Sequence, residues 1–163
     1  MKTTFQQAVT SAPTPVNGAY KPGKQALKGE HRALIECPDP RRFKGSIDLD
    51  AALAGTSAHR SANRWDYGIG LAQPGKPEAA IWVEVHPGAA NDVDTVLKKL
   101  SWLKNWLQTE ARELNAVTCR AKGARCFFWL ATGAPITIRA GMPQARKLQG
   151  AGLDLPQRKL VLA

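Results

Sequence analysis

Three polar side chains stand at the ends of two adjacent apolar segments, where core packing gives them no purpose. Asp66 precedes the segment Tyr-Gly-Ile-Gly-Leu, and Glu84 and His86 belong to the segment Ile-Trp-Val-Glu-Val-His. Carboxylate oxygens bind hard divalent cations, and an imidazole can accept a proton and orient water. If the fold brings the three side chains together, the chemistry they suit is metal-assisted hydrolysis.

These residues are expected to meet because the two segments read as the strands of a β-hairpin. Two prolines and a glycine within residues 73–77 supply the turn between them. Side chains alternate between the two faces of a strand, so Glu84 and His86 share a face with Trp82. The aliphatic residues between them fill the other face. Antiparallel pairing across the turn then brings Asp66 close to Glu84 and His86.

The elements on either side of the hairpin can also be predicted. Apolar and polar residues alternate over residues 43–53, which predicts a strand. A short helix from Ser46 is the alternative, because a serine followed by an aspartate also starts helices. Apolar residues at spacings of three and four predict an amphipathic helix from Val93 to about Leu114. The continuous apolar run 126–131 predicts a strand that is covered on both faces.

Together these elements predict an α/β fold. A crossover helix is the standard way for the last strand of an antiparallel meander to reach a parallel partner. We therefore expect a mixed central sheet, made of a three-strand antiparallel meander, a crossover helix and a fourth strand, flanked by helices. A weak helix over residues 24–37 precedes the meander, although residues 32–36 could equally form a strand. A small strand–helix–strand appendage follows the fourth strand, over residues 136–138, 143–150 and 158–162.

Length and composition indicate one domain with a sizeable core. The chain has 163 residues, of which 44% are hydrophobic, and it contains five tryptophans. Residues 1–22 are polar and contain several prolines, which predicts a flexible N-terminal arm. A single domain at residues 23–163 follows this arm.

Hydrophobic runs and cysteines predict a cytoplasmic protein with no membrane partner. No apolar run approaches the roughly 18 residues of a membrane span. The N-terminus lacks the apolar stretch of a secretory signal. Cys37, Cys119 and Cys126 have no paired spacing, so we expect reduced thiols rather than a zinc site or disulfides.

The excess positive charge lies mainly in the C-terminal third. The net charge is +10, and residues 111–163 hold nine Lys and Arg against two acids, a net +7. Such a surface points to a polyanion, most commonly nucleic acid, although a basic surface that serves only solubility is the alternative. Candidate contacts to backbone phosphates lie in two basic stretches, at Arg120, Lys122, Arg125, Arg146 and Lys147.

The order of elements and the positions of the acids resemble the PD-(D/E)xK nuclease superfamily, the restriction-endonuclease-like fold, over residues 24–132. In that family an aspartate and the acid of the (D/E)-x-K motif bind Mg²⁺, and the lysine positions or activates the attacking water. The resemblance implies that Asp66 and Glu84 bind Mg²⁺ or Mn²⁺. It puts His86 at the lysine position, as the base that orients water.

Two departures from the family pattern bear on activity. Trp65 precedes the aspartate where the family motif has proline. His86 replaces the lysine, and a neutral imidazole can accept a proton but cannot supply a fixed positive charge at neutral pH. The second departure favours a protein that has kept the fold and lost the chemistry.

Further ligands are less sharply defined. The family often uses a glutamate from the first helix, which could be Glu30 or Glu36 here. Asp48 or Asp50 on the first strand could add a metal ligand, and of the two we predict Asp50. The alternative for both aspartates is a solvated or ion-paired surface position, and Asp66 could equally pair with an arginine at position 60 or 64.

The leading hypothesis is a metal-dependent phosphodiesterase that acts on DNA or RNA, with Asp66, Glu84 and His86 as its catalytic residues. The main alternative is a non-catalytic module of the same fold that binds nucleic acid or a protein partner. A third is a structural protein whose charge serves solubility. Many members of the family act as dimers, so the resemblance also implies a homodimer.

Overall fold

Six α-helices and six strands form within residues 2–118, 125–133 and 135–162, the part of the chain that this computed structural model describes. The helices are α1 (Phe5–Thr10), α2 (Gly29–Arg32), α3 (Leu49–Ala54), α4 (Val93–Thr109), α5 (Arg112–Val117) and α6 (Pro143–Ala151). The strands are β1 (Ile35–Glu36), β2 (Phe43–Asp48), β3 (Tyr67–Gln73), β4 (Lys76–His86), β5 (Phe127–Ala131) and β6 (Leu160–Val161).

The central sheet has four strands in the order β2-β3-β4-β5. The pairs β2/β3 and β3/β4 are antiparallel, whereas β4/β5 is parallel and is connected through α4 and α5. This confirms the predicted mixed sheet of an antiparallel meander, a crossover helix and a fourth strand. Strand β3 turns into β4 at Pro74-Gly75, where Gly75 has a φ of 68° that suits glycine.

The two faces of β4 bury different residues, as the alternating pattern predicts. Trp82 packs into a core formed with α1, α4 and α6, where α4 contributes Val96 and Leu100. Val83 packs on the opposite face with Tyr67 and with residues of β1 and β6. The sheet therefore lies between a layer of helices and a layer made by β1, β6 and the segment around α2.

The first strand is shorter than predicted. Strand β2 ends at Asp48, whose Oδ1 accepts a hydrogen bond from the backbone N–H of Ala51 at 2.9 Å and so caps α3. The sequence suggested either a strand over 43–53 or a helix from Ser46, and each is right for part of this stretch. Asp50 consequently lies on a helix and not on a strand.

The N-terminal residues differ from the expected flexible arm. Helix α1 buries Phe5, Ala8 and Val9 completely in the core between α5 and the sheet. A Cβ atom on Gly70 would lie 2.4 Å from Cγ of the Phe5 ring, so only glycine lets the ring seat on β3. Residues 1–22 therefore include part of the domain's core.

Some smaller elements agree with prediction and others do not. The stretch 24–37 yields the short α2 and then β1, in the part where a strand was the alternative, and the stretch 136–138 forms no strand. Helix α6 and strand β6 lie where a helix and a last strand are predicted, and β6 pairs in parallel with β1 in a separate two-stranded sheet. The helix predicted to run to Leu114 breaks after Thr109, and α5 continues from Arg112.

Two findings bear on compartment and membranes. Cys37 is a free, buried thiol, but Cys126 is disulfide-bonded, so the expectation of reduced thiols is wrong for that residue. Cys119 lies outside the described residues. Among the helices that the structure describes, none has the length and apolarity to cross a membrane.

The packing of α1 leads to a testable expectation. Phe5→Ala should lower the free energy of unfolding by about 3–5 kcal/mol, because it removes a fully buried aromatic ring and leaves a cavity over Gly70. Urea denaturation measures the change, and Gln6→Ala, an exposed position on the same helix, is the matched control. Equal stability of the two variants would show that the N-terminus is not part of the core.

Candidate active site

Asp66 and Glu84 meet at the end of the hairpin, as the pairing predicts. Tyr67 pairs with Val83, which brings the residue before β3 alongside Glu84. The backbone N–H of Asp66 donates to Oε1 of Glu84 at 3.2 Å, and the N–H of Val85 donates to Oδ2 of Asp66 at 2.9 Å. Each carboxylate is therefore held by the backbone of the other strand. Glu84 is completely buried and Asp66 is partly exposed.

Lys99, a residue of the amphipathic helix α4 to which the sequence analysis gives no role, joins this pair. Nζ of Lys99 lies 2.5 Å from Oε2 of Glu84. The side chain reaches the sheet because Lys99 is next to Leu100 and one turn after Val96, both buried against the strands. Its neighbour Lys98 is exposed. The signal for Lys99 in the sequence is its place at the border of the apolar stripe, which Lys98 does not share.

His86 lies beside Glu84 but is held by a different acid. Its Nε2 lies 3.1 Å from Oδ1 of Asp92, and its Nδ1 lies 3.8 Å from Oε2 of Glu84. Asp92 ends the short turn before α4. The imidazole therefore stands between two carboxylates.

Burial governs the protonation of the acid pair. It is the main cause that raises the pKa of Glu84 to about 8, with the charge of Asp66 adding to it and Lys99 opposing it. Burial also raises the pKa of Asp66, against the Val85 hydrogen bond and the charge of Lys99. Near neutral pH Glu84 therefore retains its proton, and a cation bound beside it would favour release of that proton.

Asp48 and Asp50 lie near Asp66 without joining the pair. Both line a cavity of about 280 Å³ that Asp66 also lines. Asp48 caps α3, and Oδ1 of Asp50 accepts from Nε of Arg64 at 2.9 Å. Arg64 therefore pairs with Asp50 and not with Asp66. In this arrangement the predicted metal ligand Asp50 is engaged by a guanidinium.

Neither candidate glutamate from the first helix joins the pair. Glu36 lies on β1 and pairs with Lys159 at 2.8 Å. The Glu30 side chain is 78% exposed, and its Oε1 lies 3.7 Å from Nε2 of His31. The acids close to Glu84 are instead Asp66, whose backbone N–H donates to Glu84, and Asp92, which contacts the neighbouring His86.

The predicted phosphate-binding residues are spread over the molecule. Arg120 and Lys122 lie outside the described residues. Arg125 precedes β5 and pairs with Asp154, whereas the site lies at the other end of that strand, where His86 pairs with Ala131. On α6, Nη2 of Arg146 donates to the carbonyl of Gly141, and Nζ of Lys147 lies 3.5 Å from Asp94 at the start of α4. Of the predicted phosphate-binding residues that the structure describes, Lys147 thus has the contact nearest the site.

The donor set suits Mg²⁺ or Mn²⁺ bound together with other oxygens. Among the residues described, no group of three or more His, Cys, Asp or Glu side chains is arranged to hold a metal. Magnesium is commonly bound through one or two carboxylates, with waters and substrate phosphate completing its shell. No family model, curated protein or solved structure matches this chain. Its chemistry therefore has to be inferred from these side chains.

The pKa of Glu84 leads to a pH-dependent stability difference. Because the folded pKa of about 8 exceeds the ordinary 4.5, the folded protein binds more protons between these values, and stability falls as pH rises through that window. Glu84→Gln cannot titrate, so wild type should lose stability relative to this variant between pH 5 and 8, by on the order of a few kcal/mol.

Urea denaturation at several pH values without divalent ions measures this difference. Glu113→Gln, at an exposed acid on α5, is the control and should follow the wild-type pH profile. A gap between wild type and Glu84→Gln that stays constant with pH would contradict the assigned protonation.

Proposed function

We propose that this chain is a metal-dependent phosphodiesterase that acts on nucleic acid and has a restriction-endonuclease-like fold. The observation that carries the proposal is the contact of Asp66, Glu84 and Lys99 at one end of the central sheet. The strand order supports the fold assignment, because a meander followed by a parallel fourth strand is the arrangement that the resemblance implies.

Asp66 and Glu84 would hold Mg²⁺ or Mn²⁺. A bound cation offsets the negative charge of a scissile phosphate and lowers the pKa of water. The raised pKa of Glu84 fits such a role, since burial and the charge of Asp66 outweigh the nearby positive charge, and a cation would supply more of it. Lys99 supplies part of that charge, and it contacts Oε2 of Glu84 while Oε1 accepts from the backbone of Asp66.

Lys99 would take the role that the family gives to the lysine of its motif. The positive charge missing at position 86 arrives from α4 and not from β4. An ammonium group has three N–H donors, so a bond to Glu84 leaves others for a water molecule or a phosphate oxygen. We expect Lys99 to orient the attacking water and to stabilise charge that develops in the transition state.

His86 has a different use in this arrangement from that of the lysine it replaces. Asp92 holds its Nε2, which leaves Nδ1 facing Glu84 at 3.8 Å. The imidazole can thus receive the proton that Glu84 gives up when a cation binds, and Asp92 stabilises the resulting imidazolium. Its role as the base that orients water remains a second proposal for the same side chain.

Nucleic acid is the proposed substrate class because the chain carries a net charge of +10. A homodimer and a cytoplasmic location are further proposals that follow from the resemblance and from the sequence. The disulfide at Cys126 weighs against the second of these, since disulfides persist mainly in oxidising compartments.

One observation favours a second candidate, a non-catalytic nucleic-acid-binding module. Nζ of Lys99 already contacts Oε2 of Glu84, as it would in a purely structural buried pair. In that case the acids and the lysine stabilise the hairpin against α4 and bind no metal. Salt-dependent binding to DNA that persists in EDTA and in a Glu84→Gln variant, with no cleavage in Mn²⁺, would select this candidate.

Removal of one carboxylate should weaken metal binding and abolish cleavage. Asp66→Asn and Glu84→Gln should each weaken Mn²⁺ binding by on the order of 10-fold or more and reduce cleavage of DNA and RNA to background, because each removes one of two charged ligands. Isothermal titration calorimetry with Mn²⁺ and a gel assay measure the two effects. Wild-type protein that neither binds Mn²⁺ nor cuts either nucleic acid would reject the enzymatic proposal.

Replacement of Lys99 should separate metal binding from chemistry. Lys99→Gln should lower the cleavage rate by roughly 100-fold, in line with the loss of one transition-state donor, while Mn²⁺ affinity stays the same or rises because a competing cation is gone. Lys98→Gln, at the exposed neighbour, is the matched control. Cleavage by Lys99→Gln at the control's rate would mean that Lys99 has no part in catalysis.

A further inference from the structure

The cavity of about 280 Å³ at the end of the hairpin is the route by which a substrate can reach Asp66. It is lined by Lys28, His31, Asp48, Asp50, Asp66 and Tyr67, with Val85 and Thr132 completing it. Glu84 is fully buried and does not line this cavity. A molecule that approaches the acid pair through this cavity therefore meets Asp66 first.

The acids of the cavity other than Asp66 are engaged by the protein itself. Asp48 accepts from the backbone of Ala51, and Asp50 pairs with Arg64. The guanidinium compensates the charge of Asp50. Lys28 lies close enough to Asp48 to oppose the rise that burial causes in the pKa of that acid. The two acids thus leave the cavity less negative than its composition suggests.

Tyr67 holds the backbone of Lys28 and the ring of His31 at the edge of the cavity. The Tyr67 hydroxyl accepts from the backbone N–H of Lys28 at 3.4 Å and lies 2.8 Å from Nδ1 of His31. A tyrosine hydroxyl keeps its proton near neutral pH and can donate it to Nδ1. In the tautomer whose Nδ1 accepts from Tyr67, the His31 ring presents an Nε2–H donor, and the Lys28 side chain presents an ammonium.

We propose that Lys28 and His31 bind the phosphodiester group of the substrate in this cavity, next to the cation held by Asp66. This inference rests on the proposed function, and it identifies the substrate-binding side of the same site. A phosphodiester carries one negative charge on two non-bridging oxygens, and a lysine with an imidazole N–H supplies one charge and two kinds of donor for them. Sequence reasoning gave neither residue a role.

Replacement of Glu30 should change substrate binding in the opposite direction from replacement of Lys28 or His31. Its exposed carboxylate lies 3.7 Å from Nε2 of His31, where it competes with a phosphate for the same donor. Removal of its charge should therefore strengthen binding of the substrate, whereas removal of Lys28 or His31 should weaken it. Opposite effects from neighbouring residues are not expected from a general loss of stability.

The experiment measures binding of a fluorescein-labelled 12-nucleotide single-stranded DNA, and of its duplex and RNA counterparts, by anisotropy in EDTA and in Ca²⁺. Lys28→Gln and His31→Gln should each raise the Kd by roughly three- to tenfold. Lys28→Gln should also reduce the salt slope by about one. Glu30→Gln should lower the Kd. Lys76→Gln, at the turn of the hairpin at the far end of β4, is the matched control and should bind like wild type.

The outcomes distinguish this inference from the proposed function. Mn²⁺ titration of each variant should match wild type, because neither Lys28 nor His31 contacts Asp66 or Glu84 through any bond described above. Thermal unfolding should match wild type for the exposed positions Lys28 and Glu30, whereas His31→Gln also loses the hydrogen bond to Tyr67, so its binding is compared at a temperature where it is fully folded. Wild-type Kd and salt slope in Lys28→Gln and His31→Gln would overturn the inference, even if Glu84→Gln abolishes metal binding. If wild type binds no Mn²⁺ but these variants still lose affinity in EDTA, the proposed enzyme fails and the binding subsite stands.

Discussion

The burial of Glu84 is the constraint on which the rest of this site depends. A carboxylate with no exposed surface would be costly within an apolar strand unless partners compensate it. Its partners come from two other elements: the backbone N–H of Asp66 ahead of β3, and the ammonium of Lys99 on α4. Any change in the β3/β4 register or in the seating of α4 would break one of these contacts. The geometry of three elements is thus tied to one side chain.

The apolar core fixes those elements independently of the acids. Gly68 pairs with Trp82, and a Cβ atom at Gly68 would lie 2.7 Å from the Trp82 ring, so the strand pair needs glycine there. The indole Nε1 of Trp82 in turn donates to Oγ1 of Thr118 at 3.0 Å, which ties the end of the crossover connection to β4. Because this close packing fixes the position of α4 on the sheet, the side chain of Lys99 lies against Glu84.

The sequence was sufficient for whatever depends on local periodicity. Alternation in β4 predicted that Glu84 lies on the face of Trp82, and the turn at Pro74-Gly75 predicted that Asp66 comes alongside. It was insufficient where tertiary packing decides. Helix α1 is only six residues long, and it is held by the contact of Phe5 with Gly70, two residues that are far apart in the sequence. A pattern of polar residues and prolines carries no sign of it.

The position of Lys99 shows the same limit of sequence-based prediction within the site. A helical pattern distinguishes buried from exposed positions, but it does not reveal which border residue will face an acid on a strand 15 residues earlier. A motif is defined by spacing along the chain, whereas chemistry requires only that a charge stand near the carboxylates in space. Lys99 stands there, and position 86 holds an imidazole whose Nε2 lies 3.1 Å from Oδ1 of Asp92. The charged groups around Glu84 are therefore supplied by two strands and one helix.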